Sequence, residues 1–300
     1  PTAGMNYWWV QFGAIDHFEA PVKWMGVERN HDASAYPWYS GTWSGLRFYE
    51  GRHPHVLGNL IDLNGDGRPD RVFQKYHGEK EWYVQFNNGQ GFDPLILWDT
   101  NIHPVSQWSF QATYASQVRD DEGGKTIQEL IADLIDMDGD GLPDRIVRPW
   151  TGDFDHWFFQ KNTGDGFADA VLWEGVDPSF CAGDEKMGGS LSWYTVESNF
   201  IGDLSKLIDI NGDSFMDRVL LKNEDPADPA SAMDWYVQLG NGHGFEPATL
   251  WDDEVRSLPG LPNEKIGSAI HVFKDWNEPR NVLADLMDVT GDGLPDRVTL

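Results

Sequence analysis

Apolar and polar positions alternate along this chain in short bursts separated by glycine-rich turns. In WYVQF (82–86), Trp82, Val84 and Phe86 fall on one side of an extended strand, with Tyr83 and Gln85 on the other. Both faces carry aromatic or apolar groups, the pattern of a strand covered on both sides. The next five residues, NNGQG (87–91), accept the positive φ of a hairpin turn, and 92–98 reads as the returning strand. Arg71-Val72-Phe73-Gln74 and Leu60-Ile61 read as two further strands. The pattern therefore predicts a four-stranded antiparallel sheet.

The same pattern recurs. WYVQFNNGQGFDPLILW (82–98) returns as WFFQKNTGDGFADAVLW (157–173) and WYVQLGNGHGFEPATLW (235–251), and a looser copy, WWVQFGAIDHFEAPVKW, occupies 8–24. Each copy sets a phenylalanine (Phe18, Phe92, Phe167, Phe245) six residues before its closing tryptophan. An acidic element alternates with it: DLNGDGRPDRV from Asp62, DMDGDGLPDRI from Asp136, DINGDSFMDRV from Asp209 and DVTGDGLPDRV from Asp288. These elements are spaced by 74, 73 and 79 residues and the leading tryptophans by 74, 75 and 78, so two independent markers share one period. Between them, 25–58, 99–129, 174–206 and 252–281 have weaker patterns, predicting long loops or short helices on one face.

The expected architecture is all-β: one domain over 1–300, a β-propeller with four repeats of about 75 residues and four-stranded antiparallel blades. Its repeat cores are 8–24, 58–98, 130–173, 207–251 and 282–300. Asp288 to Trp8 across an imagined join of the chain ends is 20 residues, the same as Asp62 to Trp82, so the repeats continue across that join without a gap. Two readings stay open. The terminal strands pair to close a ring, which removes exposed sheet edges and is favoured, or the chain is one period of a tandem array.

The acidic elements carry the candidate chemistry. In Asp62, Asn64, Asp66 and Asp70 the oxygen-bearing side chains stand at loop positions 1, 3, 5 and 9, with the carbonyl of Arg68 at position 7. A hard cation needs about six to eight oxygens at about 2.3–2.6 Å, and a tight loop turns alternate side chains to a common centre. The corresponding sets are Asp136, Asp138, Asp140, Leu142 and Asp144; Asp209, Asn211, Asp213, Phe215 and Asp217; and Asp288, Thr290, Asp292, Leu294 and Asp296. Position 12 is Phe73, Val147, Leu220 or Thr299 and never glutamate, which excludes an EF-hand. The four-carboxylate loop from Asp136 is expected to bind most tightly. Ser214 in place of glycine and Thr290 at position 3 are expected to weaken the third and fourth loops. The competing reading is four plain Asp/Gly turns.

The pairing of DxNGDGxPDRV with WxVQxNxGxGF resembles the FG-GAP/VCBS repeats of integrin-type β-propellers, especially those of bacterial insecticidal toxin-complex and Rhs-type proteins. The resemblance covers both segments of each repeat but not the insertions. It implies calcium in the acidic loops, up to four Ca2+ ions, and repeats built as propeller blades.

Composition narrows the function. A formal charge of −27 argues against nucleic acid. No apolar run reaches the roughly 20 residues of a membrane span. Cys181 is the only cysteine, so no internal disulfide is possible and metal is the remaining staple if the chain is extracellular. Arg71, Arg145, Arg218 and Arg297, one after each acidic loop, read as structural partners of carboxylates or tryptophans rather than as an anion-binding ring. Gln11, Gln85, Gln160 and Gln238 read as buried hydrogen-bonding groups between blades. No HExxH, GxSxG or phosphate-cradling glycine loop is present, His53 and His55 lack partners, and Cys181 lacks an activating neighbour, so no catalytic residue is assigned. The expectation is a non-enzymatic, extracellular or cell-surface scaffold contacting other proteins or copies of itself. The alternative is a glycan-binding propeller using the tryptophans outside the framework, Trp9, Trp38, Trp43, Trp108, Trp150, Trp193 and Trp276.

Overall fold

The computed structural model describes residues 7–28, 48–49, 55–74, 80–105, 113–119, 126–149, 156–180, 190–197, 200–223, 233–252, 269–270, 272–274 and 281–299. Among the described residues, every element apart from one 3-10 turn at Pro178–Phe180 is a β-strand. The strands are β1 (Tyr7–Val10), β2 (Val22–Met25), β3 (Phe48–Tyr49), β4 (His55–Ile61), β5 (Asp70–Phe73), β6 (Trp82–Gln85) and β7 (Ile96–Asp99). They continue as β8 (Thr113–Arg119), β9 (Thr126–Ile135), β10 (Asp144–Val147), β11 (Trp157–Gln160), β12 (Val171–Trp173), β13 (Ser192–Glu197) and β14 (Phe200–Ile208). The last six are β15 (Asp217–Asn223), β16 (Met233–Gln238), β17 (Thr249–Asp252), β18 (Val272–Lys274), β19 (Asn281–Met287) and β20 (Asp296–Thr299).

The predicted four-stranded sheets are present as β4-β5-β6-β7, β9-β10-β11-β12 and β14-β15-β16-β17, all antiparallel. Registers repeat from sheet to sheet: Arg71 faces Gln85, Arg145 faces Gln160 and Arg218 faces Gln238. The returning strand is shorter than expected. Phe92, Phe167 and Phe245 each close an isolated bridge, and pairing resumes only at β7, β12 and β17. Pro94 and Pro247 supply no N–H to two of these breaks. In all three, the glutamine amide enters the gap and donates to Asp93 O, Ala168 O or Glu246 O.

The insertions depart from expectation. Their described parts are mainly strands rather than loops or short helices. β8, β13 and β18 each pair with the long strand that follows (β9, β14, β19) and with the one before (β4, β9, β14). The reason is backbone satisfaction. β10 pairs with only Ala132–Ile135 of the ten-residue β9, so the first half of β9 needs partners, and β8 and β13 supply them.

The fourth repeat is divided. β18-β19-β20 forms one part and β1-β2 a separate two-stranded sheet. The expected pairing of N- and C-terminal strands is not formed among the described residues. Accordingly, Val298 of β20 and Trp9 of β1 remain exposed.

The cores lie as slabs between successive sheets. Phe92 packs edge-on against Trp8 and Trp24, and Phe245 against Trp157 and Trp173, while Phe167 meets Trp82 beside Trp98. Gly26 and Gly175 adopt φ of +83° and +79° at these junctions, where a Cβ would strike the carbonyl oxygen of Phe92 or Phe245. Only glycine suits both demands.

Candidate metal sites

Each acidic loop is shaped by its own aspartates. The position-1 carboxylate gathers backbone N–H groups: Asp136 accepts from Gly139, Asp140 and Gly141 at 2.8, 3.2 and 2.8 Å. Asp209 and Asp288 do the same in their loops, and Asp62 accepts from Asp66 and Gly67. Position 5 accepts from the position-7 N–H at 2.9 Å in every loop, joining Asp66 to Arg68, Asp140 to Leu142, Asp213 to Phe215 and Asp292 to Leu294. At position 6 the backbone is left-handed, and Ser214, at φ +74°, is the non-glycine residue found there among the described residues.

Position 9 staples the loop to its sheet. Buried Asp70, Asp144 and Asp217 accept from the N–H of Leu63, Met137 and Ile210, and from Asn87, Asn162 and Gly240 in the following hairpin. Burial pushes the Asp144 carboxyl up to about 7; the two backbone N–H groups oppose that shift, and Asp138 and Asp140 add to it. Burial likewise raises Asp70 and Asp217. Neighbouring carboxylates add to that shift, Asp66 and Asp62 at Asp70 and Asp213 and Asp209 at Asp217, a repulsion that a cation in the loop would relieve.

The fit to a cation is geometric as well. Carboxylate oxygens of Asp136, Asp138 and Asp144 lie within 4.8 Å of one another. Oxygens on opposite sides of a calcium ion, each about 2.3–2.6 Å from it, stand about that far apart. Asn64 and Asn211 turn their side-chain oxygens to the N–H of Asp66 and Asp213 at 3.1 and 2.9 Å, and Thr290 donates to Asp288 at 3.4 Å, so position 3 faces its loop in each case.

Loops of successive repeats touch. A Cβ on Gly65 would meet the Leu142 side chain, one on Gly139 would meet Ser214, and one on Gly212 would meet Leu294. Asn162 also donates to Leu63 O at 2.8 Å, tying the second repeat to the first loop. The loops with their thirteen aspartates thus form one continuous row.

Two side chains that the loop motif does not contain enter these sites. Arg68 bonds Asp66 at 2.6 Å. Lys161, on the hairpin after the second loop, pairs with Asp138 and, at 2.8 Å, with Asp140. Slight burial would raise Asp140, but Lys161 and the Leu142 N–H outweigh it and hold its pKa low. Its repeat equivalents are Phe12, Phe86 and Leu239, so the departure was visible in WFFQK, but its target was not.

The arginines after the loops are structural. Arg71, Arg145 and Arg218 are buried, and with Arg297 they stand over Trp8, Trp82, Trp157 and Trp235 of the preceding sheet at 5.7, 5.6, 5.2 and 5.6 Å. Burial brings Arg71 down to about 10 and Arg145 to about 9, so both keep their charge at neutral pH. Gln85, Gln160 and Gln238 are buried and donate across the sheet junctions to Gly26 O, Asn101 O and Gly175 O at 2.6–2.7 Å. The side chains of Trp38, Trp43, Trp108, Trp150, Trp193 and Trp276, and residues His53 and Cys181, lie outside the described residues, as does the side chain of His55.

No family model matches this chain, and no curated protein does. Among solved structures it aligns with an Agrocybe aegerita lectin described for specific recognition of non-reducing terminal N-acetylglucosamine. That alignment has 18% identity and a TM-score of 0.37, over 97% of this chain and 73% of the lectin chain. It also aligns with the Tc holotoxin pore of Photorhabdus luminescens at 16% identity and a TM-score of 0.19, over 80% of this chain and 13% of that one. Similarity this low assigns the chain to no family. No helix among the described residues is long and apolar enough to cross a membrane.

Proposed function

We propose that this chain is a non-catalytic, calcium-stapled β-propeller that presents its inter-repeat insertions to protein partners outside the cell. The observation that carries this reading is the continuous row of acidic loops, the first three of which each tie two strands of their own sheet and touch the loop of the next repeat. Unneutralised, such a row repels itself; divalent ions bound in the row replace that repulsion with ligation that spans the sheet junctions. The ligands would be Asp62, Asn64, Asp66, Asp70 and the Arg68 carbonyl, with their equivalents in the other loops. Bound calcium supplies rigidity, and the chain's residues position it.

Ring closure belongs to the same proposal. At the three formed junctions a hairpin phenylalanine is buried against the preceding sheet's tryptophans, whereas Phe18 is 72% and Trp251 49% exposed. Asp70, Asp144 and Asp217 each take a hairpin N–H, while Asp296 takes only Val289 and Thr290 of its own loop. The matching halves of a fourth junction are therefore present and unjoined. Joining them would place Val298 opposite Val10, as Val72 stands opposite Val84.

The test is a thermal melt of metal-stripped protein with calcium added back, with bound metal counted by elemental analysis. A large rise in Tm with several calcium ions per chain is expected. No bound metal and an unchanged melt would sink the calcium reading. The glycan-binding alternative, to which exposed Trp9 points, predicts binding on a glycan array.

A further inference from the structure

The second loop differs from the other three in two ways at once. Position 3 is Asp138, where the others have Asn64, Asn211 and Thr290, so this loop holds one more carboxylate. The hairpin residue after the conserved glutamine is Lys161, where the others have Phe12, Phe86 and Leu239. Those apolar equivalents make apolar contacts: Phe86 packs against Trp98, Leu239 lies beside the core of its repeat, and Phe12, more exposed, lies edge-on to Trp24. Lys161 leaves that packing and sets its ammonium between Asp138 and Asp140, the ligands at positions 3 and 5. One extra negative charge and one extra positive charge thus occur in the same repeat and meet in space.

We infer that Lys161 is the built-in cation of the second loop, holding by its ammonium the place that calcium takes in the other three. This rests on the calcium reading for the other loops and reverses the ranking that carboxylate count alone suggests. An ion entering the second loop must displace an ammonium that two of its five ligands already hold. The lysine is tethered in the same sheet, so its local concentration is fixed and high. Asp136 and Asp144 remain turned to backbone N–H groups, which leaves the loop folded with no divalent ion present.

The test compares the wild-type chain, Lys161→Leu, and the double variant Lys161→Leu/Asp138→Asn, which recreates the composition of the first and third loops. Calcium per chain is counted by equilibrium dialysis, and each protein is melted in chelator and in calcium. Lys161→Leu is expected to bind one calcium more than wild type, to melt lower in chelator, and to recover in calcium. The double variant is expected to regain the lost Tm in chelator, because the carboxylate that needed the lysine has gone. Equal, non-zero calcium counts in wild type and Lys161→Leu would overturn the inference. If no protein binds calcium, the calcium reading fails and the chelator melts decide this inference. A drop in Lys161→Leu that Asp138→Asn reverses upholds the lysine as the loop's cation, and unchanged melts refute it.

Discussion

Replacing Gln160 with methionine tests how the repeats are held together. The amide of Gln160 donates to Asn101 O at 2.7 Å in the preceding repeat and to Ala168 O at 3.2 Å in its own returning strand. Its oxygen accepts the His103 N–H at 2.7 Å and an Arg145 N–H at 3.4 Å. Methionine matches the length of the side chain but makes none of these bonds. Asn101 O and the His103 N–H, the two with short bonds, then lose their partner at a site where Gln160 itself is buried. A buried polar group left unsatisfied costs about 1–3 kcal/mol, and the thioether recovers part of that by apolar burial, so a net loss of about 3 kcal/mol is expected. Urea unfolding followed by tryptophan fluorescence measures it. A loss below about 1 kcal/mol would refute the argument that this amide joins the sheets, because that is the scale of an ordinary exposed substitution. Gln11 occupies the equivalent position in β1's repeat but is exposed and makes a single bond, to Glu19 O at 3.2 Å. Under ring closure Gln11→Met costs nearly as much as Gln160→Met, and in an open chain it costs almost nothing.

Three further outcomes are expected. Gly175→Ala introduces both a left-handed penalty of about 1–2 kcal/mol and a collision with Phe245 O, whereas Gly164→Ala, at φ +85° with open space around it, incurs only the first; unfolding free energies compared side by side should separate them clearly. Ser214→Gly relieves the left-handed strain in the third loop and should stabilise the chain by about 0.5–1 kcal/mol, and a Tm that falls instead would contradict the backbone argument. His103, stacked on Phe158 at 4.2 Å, has its pKa brought down to about 4 by burial and then by Arg145, so the folded state favours the neutral ring. Its contribution is complete above pH 6.5 and is lost as pH falls towards 4; His103→Gln should flatten the decline in stability between pH 7 and 5, and an unchanged decline would assign it to other groups.

Much of this molecule was legible because its information is periodic. The spacing of Trp82, Val84 and Phe86 against Arg71 and Asp62 predicted strand, turn and sheet, since a period of two and a glycine-rich turn act within a few residues. The acidic loops were equally legible, because alternate positions on a tight turn converge whatever surrounds them. Gln85, Gln160 and Gln238 are buried between sheets as expected, with partners such as Gly26 O in another repeat, and Arg71 stands over Trp8; Gln11, expected to be buried like them, is exposed because its junction is not formed.

The insertions were misread because β8, β13 and β18 are specified less by their own pattern than by the unpaired halves of β4, β9 and β14 that they complete. Lys161 is the sharper case. As a single departure in WFFQK it carries no local sign of its target, and only the fold brings its ammonium to Asp138 and Asp140. The sequence by itself determined the strands of the repeat cores, the acidic loops and the number of repeats, all of which depend on interactions short in sequence. Tertiary structure decided which backbone groups were left to pair, which aromatic rings met between sheets, and which of four similar loops receives a lysine ammonium from the hairpin beside it. These depend on residues dozens of positions apart, whose proximity no local pattern encodes.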